Sequence, residues 1–151
     1  TGGHSSGKPP PATFMPFIAA MGGNVGTQSA TIMVRGLATG ELQEGDLAAT
    51  IAREARVGAV LGAFYGIVVG LIAFALYGSR FGWPFSAVVS SGMTVSIGVA
   101  CSMGALWPFI LRRFGFDPAT ATGPLITTTT DLVSTTTYLT LASFFLYKGW
   151  I

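Results

Sequence analysis

A single carboxylate, Asp131, stands in a run of hydroxyls formed by Thr127, Thr128, Thr129, Thr130, Ser134, Thr135, Thr136 and Thr137. No Lys, Arg or His occurs between Asp117 and Lys148, so no cation in the same segment can neutralise it. Pro124, Thr127, Thr128, Asp131, Ser134, Thr135 and Tyr138 recur at steps of three or four, which predicts one stripe along a helix. An oxygen on almost every turn suits a wet path for a hard cation. Hydroxyl and carboxylate oxygens favour Mg²⁺ and Ca²⁺; the lack of thiolate and imidazole clusters disfavours Zn²⁺ and Cu⁺. The chain has one cysteine, Cys101, and one histidine, His4. Ser and Thr also bond back to their own helix carbonyls, so the threonine run alone is weaker evidence than the acid.

A second polar cluster lies at Gly22-Gly23-Asn24-Val25-Gly26-Thr27-Gln28-Ser29. The amides of Asn24 and Gln28 need partners wherever water is excluded, and Gly22 and Gly26 allow backbone carbonyls to face a cavity. Taken with Asp131, the cluster predicts a shared polar cavity. A plain hydrogen bond between helices is the alternative.

The elements that must position these residues follow from where charge is missing. Half of the 151 residues are hydrophobic and 9% are charged; the mean hydropathy is +0.62. Soluble domains carry about 25% charged residues. That gap argues against a soluble enzyme, a nucleic-acid-binding domain and a disordered tail. A net charge of +2 is too small to suggest a polyanion partner. Uncharged stretches of 26, 23 and 31 residues separate Lys8 from Arg35, Arg56 from Arg80, and Arg80 from Arg112. A helix needs roughly 20 apolar residues to cross the hydrocarbon. The predicted fold is therefore an all-α integral membrane bundle with spans at 13–34, 57–78, 84–111 and 124–147. Asp131 falls inside the fourth, where an ionisable group is disfavoured by about 2.5–3.5 kcal/mol on insertion scales.

Residues 1–12, rich in Gly, Ser and Pro, read as a flexible or foreign N-terminal segment outside the transmembrane domain of residues 13–151. A loop at 35–56 carries Glu41, Glu44 and Asp46, and 45–56 reads as an amphipathic helix lying on the membrane surface. The connections after the first and third spans hold Arg35, Arg53, Arg56, Arg112 and Arg113, against Lys8, Arg80 and Lys148 on the other side. This bias makes the first side cytoplasmic in a multi-pass protein of the cell membrane. Gly58, Gly62, Gly66 and Gly70 recur every four positions, which predicts a face where helices pack closely. Pro108 is expected to kink or end the third span.

Two stretches resemble the signature of MgtE-type magnesium channels. One is Met21 to Thr31, followed by Arg35-Gly36-Leu37-Ala38-Thr39-Gly40; the other is Arg112 to Ala119, leading through Gly123-Pro124 to Thr130-Asp131. The related eukaryotic magnesium carriers share this unit. The resemblance implies a homodimer with a central pore and five spans per protomer, of which this chain matches the last four. It maps the metal-facing aspartate onto Asp131 and the pore lining onto Gly22, Asn24, Gly26, Gln28, Gly123 and Thr127, beside Thr128 and Thr135. The implied cargo is hydrated Mg²⁺, with Mn²⁺, Co²⁺ or Ca²⁺ as further ions able to bind. Partners would be a second copy, membrane lipids, and cytoplasmic N and CBS regulatory domains, with no nucleic acid. An H⁺- or Na⁺-coupled divalent-cation antiporter is the alternative mechanism. An intramembrane aspartyl enzyme would need two carboxylates sharing a proton, and a passive scaffold would leave Asp131, Asn24 and Gln28 without a use.

Overall fold

Glycine and proline punctuate long apolar runs, and the helices follow that punctuation. The structure, a computed structural model, describes residues 11–121 and 123–149. A 3-10 turn at Pro11–Phe14 leads into α1 (Met15–Thr39). A second at Glu44–Asp46 precedes α2 (Leu47–Arg113), and a single turn α3 (Pro118–Ala121) precedes α4 (Pro124–Tyr147). No strand occurs among the described residues, as an all-α fold requires. Of the N-terminal segment expected to be flexible, residues 1–10 with His4 and Lys8 lie outside the description, while Pro11 and Ala12 belong to the first turn.

The 67 residues of α2 form two arms that fold back on each other at Gly82, whose φ of 71° and ψ of −174° lie outside the helical region. Only glycine adopts that conformation without strain. Pro84 follows at the start of the second arm, where its missing N–H leaves no bond unmade. The arms, 47–81 and 83–113, contain the two middle spans expected from the sequence and extend them.

The arms touch along the glycine stripe. A side chain at Gly58 would meet Cys101 Cβ at 2.7 Å and Gly98 Cα at 3.0 Å. At Gly62 it would meet Thr94 O at 2.6 Å, at Gly66 Ser90 O at 2.6 Å, and at Gly70 Ser90 Cβ at 2.9 Å. Each glycine thus admits the opposite arm to near backbone contact. Thr94 Oγ1 fastens the approach, lying 3.1 Å from Gly62 O and 2.9 Å from Ser90 O.

α1 lies antiparallel to α4, and both pack against the second arm. Gly104 faces the carbonyl of Gly26 so closely that a Cβ there would overlap it. Gly92 admits the ring of Tyr138, whose side chain is fully buried. The main core joins Ile18, Phe85, Val89, Met93, Ile97 and Tyr138 near the hairpin turn. Phe14, Tyr77, Phe81 and Phe85 pack there as a ring cluster with centroids 5.8–6.4 Å apart. A smaller core of Met33, Leu37, Ala105 and Phe109 closes the opposite end.

Three expectations need correction. The connection expected over 35–56 is largely helical: α1 runs to Thr39, where Gly40 at φ 76° ends it, and α2 starts at Leu47. No helix breaker precedes Gly40, so the first helix continues past its apolar stretch. The segment 47–56 continues straight into the first arm, with Thr50 and Glu54 buried, and is not a separate surface helix. The second arm passes through buried Pro108 and ends at Arg113. There Gly115 N donates to Arg112 O at 3.0 Å and Phe116 N to Leu111 O at 2.9 Å. Those two bonds and the φ of 78° at Gly115 form a Schellman cap.

By length and composition α2 is the described helix apolar enough to cross a membrane. Its first arm exposes Val60, Phe64, Ile67, Leu71, Phe74 and Leu76, each more than half exposed. α1 and α4 are diluted by the glycines, amides and threonines that make the candidate site.

Candidate functional site

The boundary between α1 and α4 collects the polar residues. Glycine on α1 lets α4 come close: a side chain at Gly22 would meet Ser134 Cβ at 2.5 Å, and one at Gly26 would meet Thr130 Cγ2 at 2.6 Å. At Gly23 a Cβ would overlap Asp131 Oδ1 itself. The Asp131 carboxyl therefore rests on the bare Cα of Gly23. Its Oδ1 is buried and has no hydrogen-bond partner, while the residue as a whole is half-buried. One oxygen is walled in by α1 and the side chain still reaches the surface.

One turn away, Thr27 Oγ1 and Thr127 Oγ1 lie 3.1 Å apart. Thr127 Oγ1 donates to Gly123 O at 3.0 Å, so Thr27 is the donor in the pair. Asn24 and Gln28 are exposed on the α1 side of this boundary. On the α4 side Thr128 is exposed and Thr135 half-buried. The result is a polar seam. Asp131, Thr27 and Thr127 are half-buried in it, and the exposed Asn24, Gln28 and Thr128 flank it.

Helix geometry divides the predicted stripe. Ser134 and Tyr138 are fully buried and face the core with Thr130, while Pro124 and Thr128 are exposed. Gly22 and Gly26 are buried contact points rather than surface, and Gly123 is an exposed N-terminal cap of α4. Gly58, Gly62, Gly66 and Gly70 lie between the arms of α2, away from the seam.

The threonine hydroxyls have a definite polarity. Thr128, Thr129 and Thr130 donate to the carbonyls of Pro124, Leu125 and Ile126 at 2.7, 2.7 and 2.8 Å. With the proton occupied by the helix, each oxygen keeps lone pairs for accepting. A hydrated dication presents only O–H donors outward. Thr127, Thr128 and the Asp131 carboxylate are all acceptors toward such a guest. Among the described residues no three His, Cys, Asp or Glu side chains converge. One chain thus builds no closed cage for a bare cation, and its single acid suits a guest that keeps its waters. Mg²⁺ dehydrates reluctantly and is bound in that way.

Sequence reasoning missed a second acid. Glu54 is 5% exposed, accepts a hydrogen bond from Ser29 Oγ at 2.9 Å, and has Arg53 Nε 3.8 Å from its Oε1. The signal was present. Counting back from Gly58 in steps of four gives Glu54 and Thr50, and both are buried on the face that carries the glycines.

Comparison with known proteins decides the family. The family model MgtE, described as a divalent cation transporter, matches residues 15–141. This chain belongs to the MgtE family. The magnesium transporter MgtE of Bacillus subtilis (strain 168) is 32% identical over 137 residues, covering 91% of this chain and 30% of the relative. That of Enterococcus faecalis is 36% identical over 135 residues, covering 89% and 29%. That of Thermus thermophilus is 35% identical over 134 residues, covering 87% and 28%. The chain spans less than a third of the length of these relatives. MgtE proteins are multi-pass membrane transporters, not enzymes. The exposed apolar face of α2 is in keeping with a membrane protein.

Proposed function

We propose that this chain is the membrane-spanning, ion-conducting part of a Mg²⁺ channel or transporter. α1, the two arms of α2, and α4 serve as its four spans. Two copies pair across the α1–α4 seam, so that the two Asp131 carboxylates face one hydrated Mg²⁺ between them. Asn24, Gln28, Thr127, Thr128 and Thr135 line the path beside them. Gly22 and Gly26 hold α4 at the distance the path requires, and Gly123 sits at its mouth. Residues 40–46 and 114–117 lie on the cytoplasmic side, where regulatory N and CBS domains would dock.

The observation that carries this reading is Asp131 Oδ1, buried and unpartnered in a seam otherwise rich in acceptors. A carboxylate in oil without a cation is strongly disfavoured. A guest cation with its waters at the exposed edge of the carboxyl offsets its charge, and a second copy hides the seam from lipid. Both needs are met by one arrangement.

The test is Mg²⁺ uptake into liposomes carrying the wild-type chain or Asp131→Asn. Asn keeps the shape and removes the charge. The expected outcome is loss of most Mg²⁺ flux with dimer formation retained. Unchanged flux in a folded Asp131→Asn protein overturns the assignment.

A further inference from the structure

A cleft of about 340 Å³ opens where the C-terminal end of α1 meets the 40–46 connection and the first turns of α2, lined by Ile32, Arg35, Gly36, Glu41, Leu42 and Arg53. A single water needs about 10–15 Å³ of such space, so the cleft has room for a multi-atom group. Gly36 creates it. Leu42 N donates to Gly36 O at 3.0 Å, and Leu42 Cγ lies where a Cβ on Gly36 would meet it at 2.8 Å. The connection therefore folds back onto α1 and leaves a half-open hollow beside it.

Two guanidinium groups and one carboxylate line the hollow. Arg35 makes no ion pair among the described residues. Arg53 approaches Glu54 only through Nε, at 3.8 Å. The remaining wall is apolar, from Leu42 and Ile32, and Ile32 is 53% exposed. In the sequence, Arg35 is the first charge after one apolar run and Arg56, three residues past Arg53, the last before another. The cleft thus sits where two apolar runs end, and its lining joins charged groups to aliphatic side chains.

We infer that this cleft binds the headgroup of a zwitterionic phospholipid of the phosphoethanolamine type. Arg35 and Arg53 take the phosphate, for which guanidinium is well matched. Glu41 takes the ammonium, and Ile32 with Leu42 lies against the start of the acyl chains. A free phosphate shares the first contact but leaves Glu41 opposed to its charge and the apolar wall unused. The inference needs only the membrane setting of the chain, not its transport activity.

The experiment compares lipid retention by the chain in detergent, read by native mass spectrometry and by the thermal unfolding midpoint. The added probes are dioleoyl phosphatidylethanolamine, phosphatidylglycerol, phosphatidylcholine, or inorganic phosphate. The wild-type chain is expected to retain phosphatidylethanolamine in preference to the others, with a raised midpoint. Arg35→Gln, at an exposed position, is expected to weaken that retention about tenfold. Glu41→Gln is expected to keep lipid binding but lose the preference for phosphatidylethanolamine over phosphatidylglycerol. Were Arg35→Gln poorly folded, the Glu41→Gln preference alone would decide. Retention that ignores headgroup, survives both substitutions, or is displaced by equimolar inorganic phosphate overturns the inference.

Discussion

Gly23→Ala isolates the geometry of the acid from its charge. The new Cβ would overlap Asp131 Oδ1 and would stand 2.9 Å from Asp131 Cγ, where ordinary contact begins near 3.4 Å. The obstructing atoms belong to a side chain end, not to backbone, so the helices need not separate. Rotation of the carboxyl away from α1 relieves the clash. Overpacking of this kind is destabilising by about 1–3 kcal/mol. Replacing a helical glycine by alanine returns about 0.5–1 kcal/mol. The net change is therefore on the order of 1 kcal/mol, small enough for the fold to survive. Transport has no such compensation, because the displaced carboxyl no longer occupies the position that faces the path. The expected outcome in liposomes is at least a tenfold fall in Mg²⁺ flux with a thermal midpoint close to wild type in detergent. Flux at the wild-type level in a folded Gly23→Ala protein would refute the reasoning. It would mean that the carboxyl does not work from its seat against Gly23.

Three other outcomes follow from the same contacts. Gly62→Ala places its Cβ 2.6 Å from Thr94 O and 3.0 Å from Thr94 Cα, where no rotamer change helps. A loss of about 2 kcal/mol is expected, seen as a lower unfolding midpoint in detergent. Glu54→Ala removes the acceptor of the buried Ser29 hydroxyl and is expected to destabilise by about 1–3 kcal/mol, whereas Glu54→Gln, which keeps an accepting oxygen, recovers most of that in the same melt. If ion movement is uncoupled, current through reconstituted protein reverses at the Mg²⁺ equilibrium potential whatever the pH or Na⁺ gradient; a reversal potential that follows either gradient selects the antiporter.

What the sequence made legible depended on whether a residue's role was local. Helices were legible because charge-free stretches long enough for a span are a local property of the sequence; the turns at Gly40, Gly82 and Gly115 that end them emerge from the backbone. The hairpin was legible as two apolar runs parted by Arg80, although Gly82 and not the charge makes the bend. α1 and both arms of α2 run past the expected spans, because apolarity marks where lipid begins and not where a helix stops, whereas α4 has the bounds expected of the fourth. No proline lies between Arg35 and Thr39, so α1 goes on past the first charge until Gly40. Asp131 stood out because isolation in an apolar run is a property of the sequence itself. Gly23 did not, since its importance lies in what α4 brings to it, and no spacing along α1 records that.

Glu54 shows the same limit from the other side. Flanked by Arg53 and Arg56 and close to Glu41, Glu44 and Asp46, it reads as one more solvated charge. Its four-residue register with Gly58 is the only hint that it turns inward. Once inside, it meets Ser29 on α1, six residues beyond the glycine that seats Asp131. α1 is thus held on one face by a buried acid of α2 and presses with another against the acid of α4. The two contacts differ in one respect that bears on use. Glu54 has its hydroxyl donor and a nearby guanidinium, so it is already satisfied and serves the packing of α1. Asp131 Oδ1 has neither. Two acids pack against one helix, and only Asp131 keeps a buried oxygen that no group among the described residues satisfies.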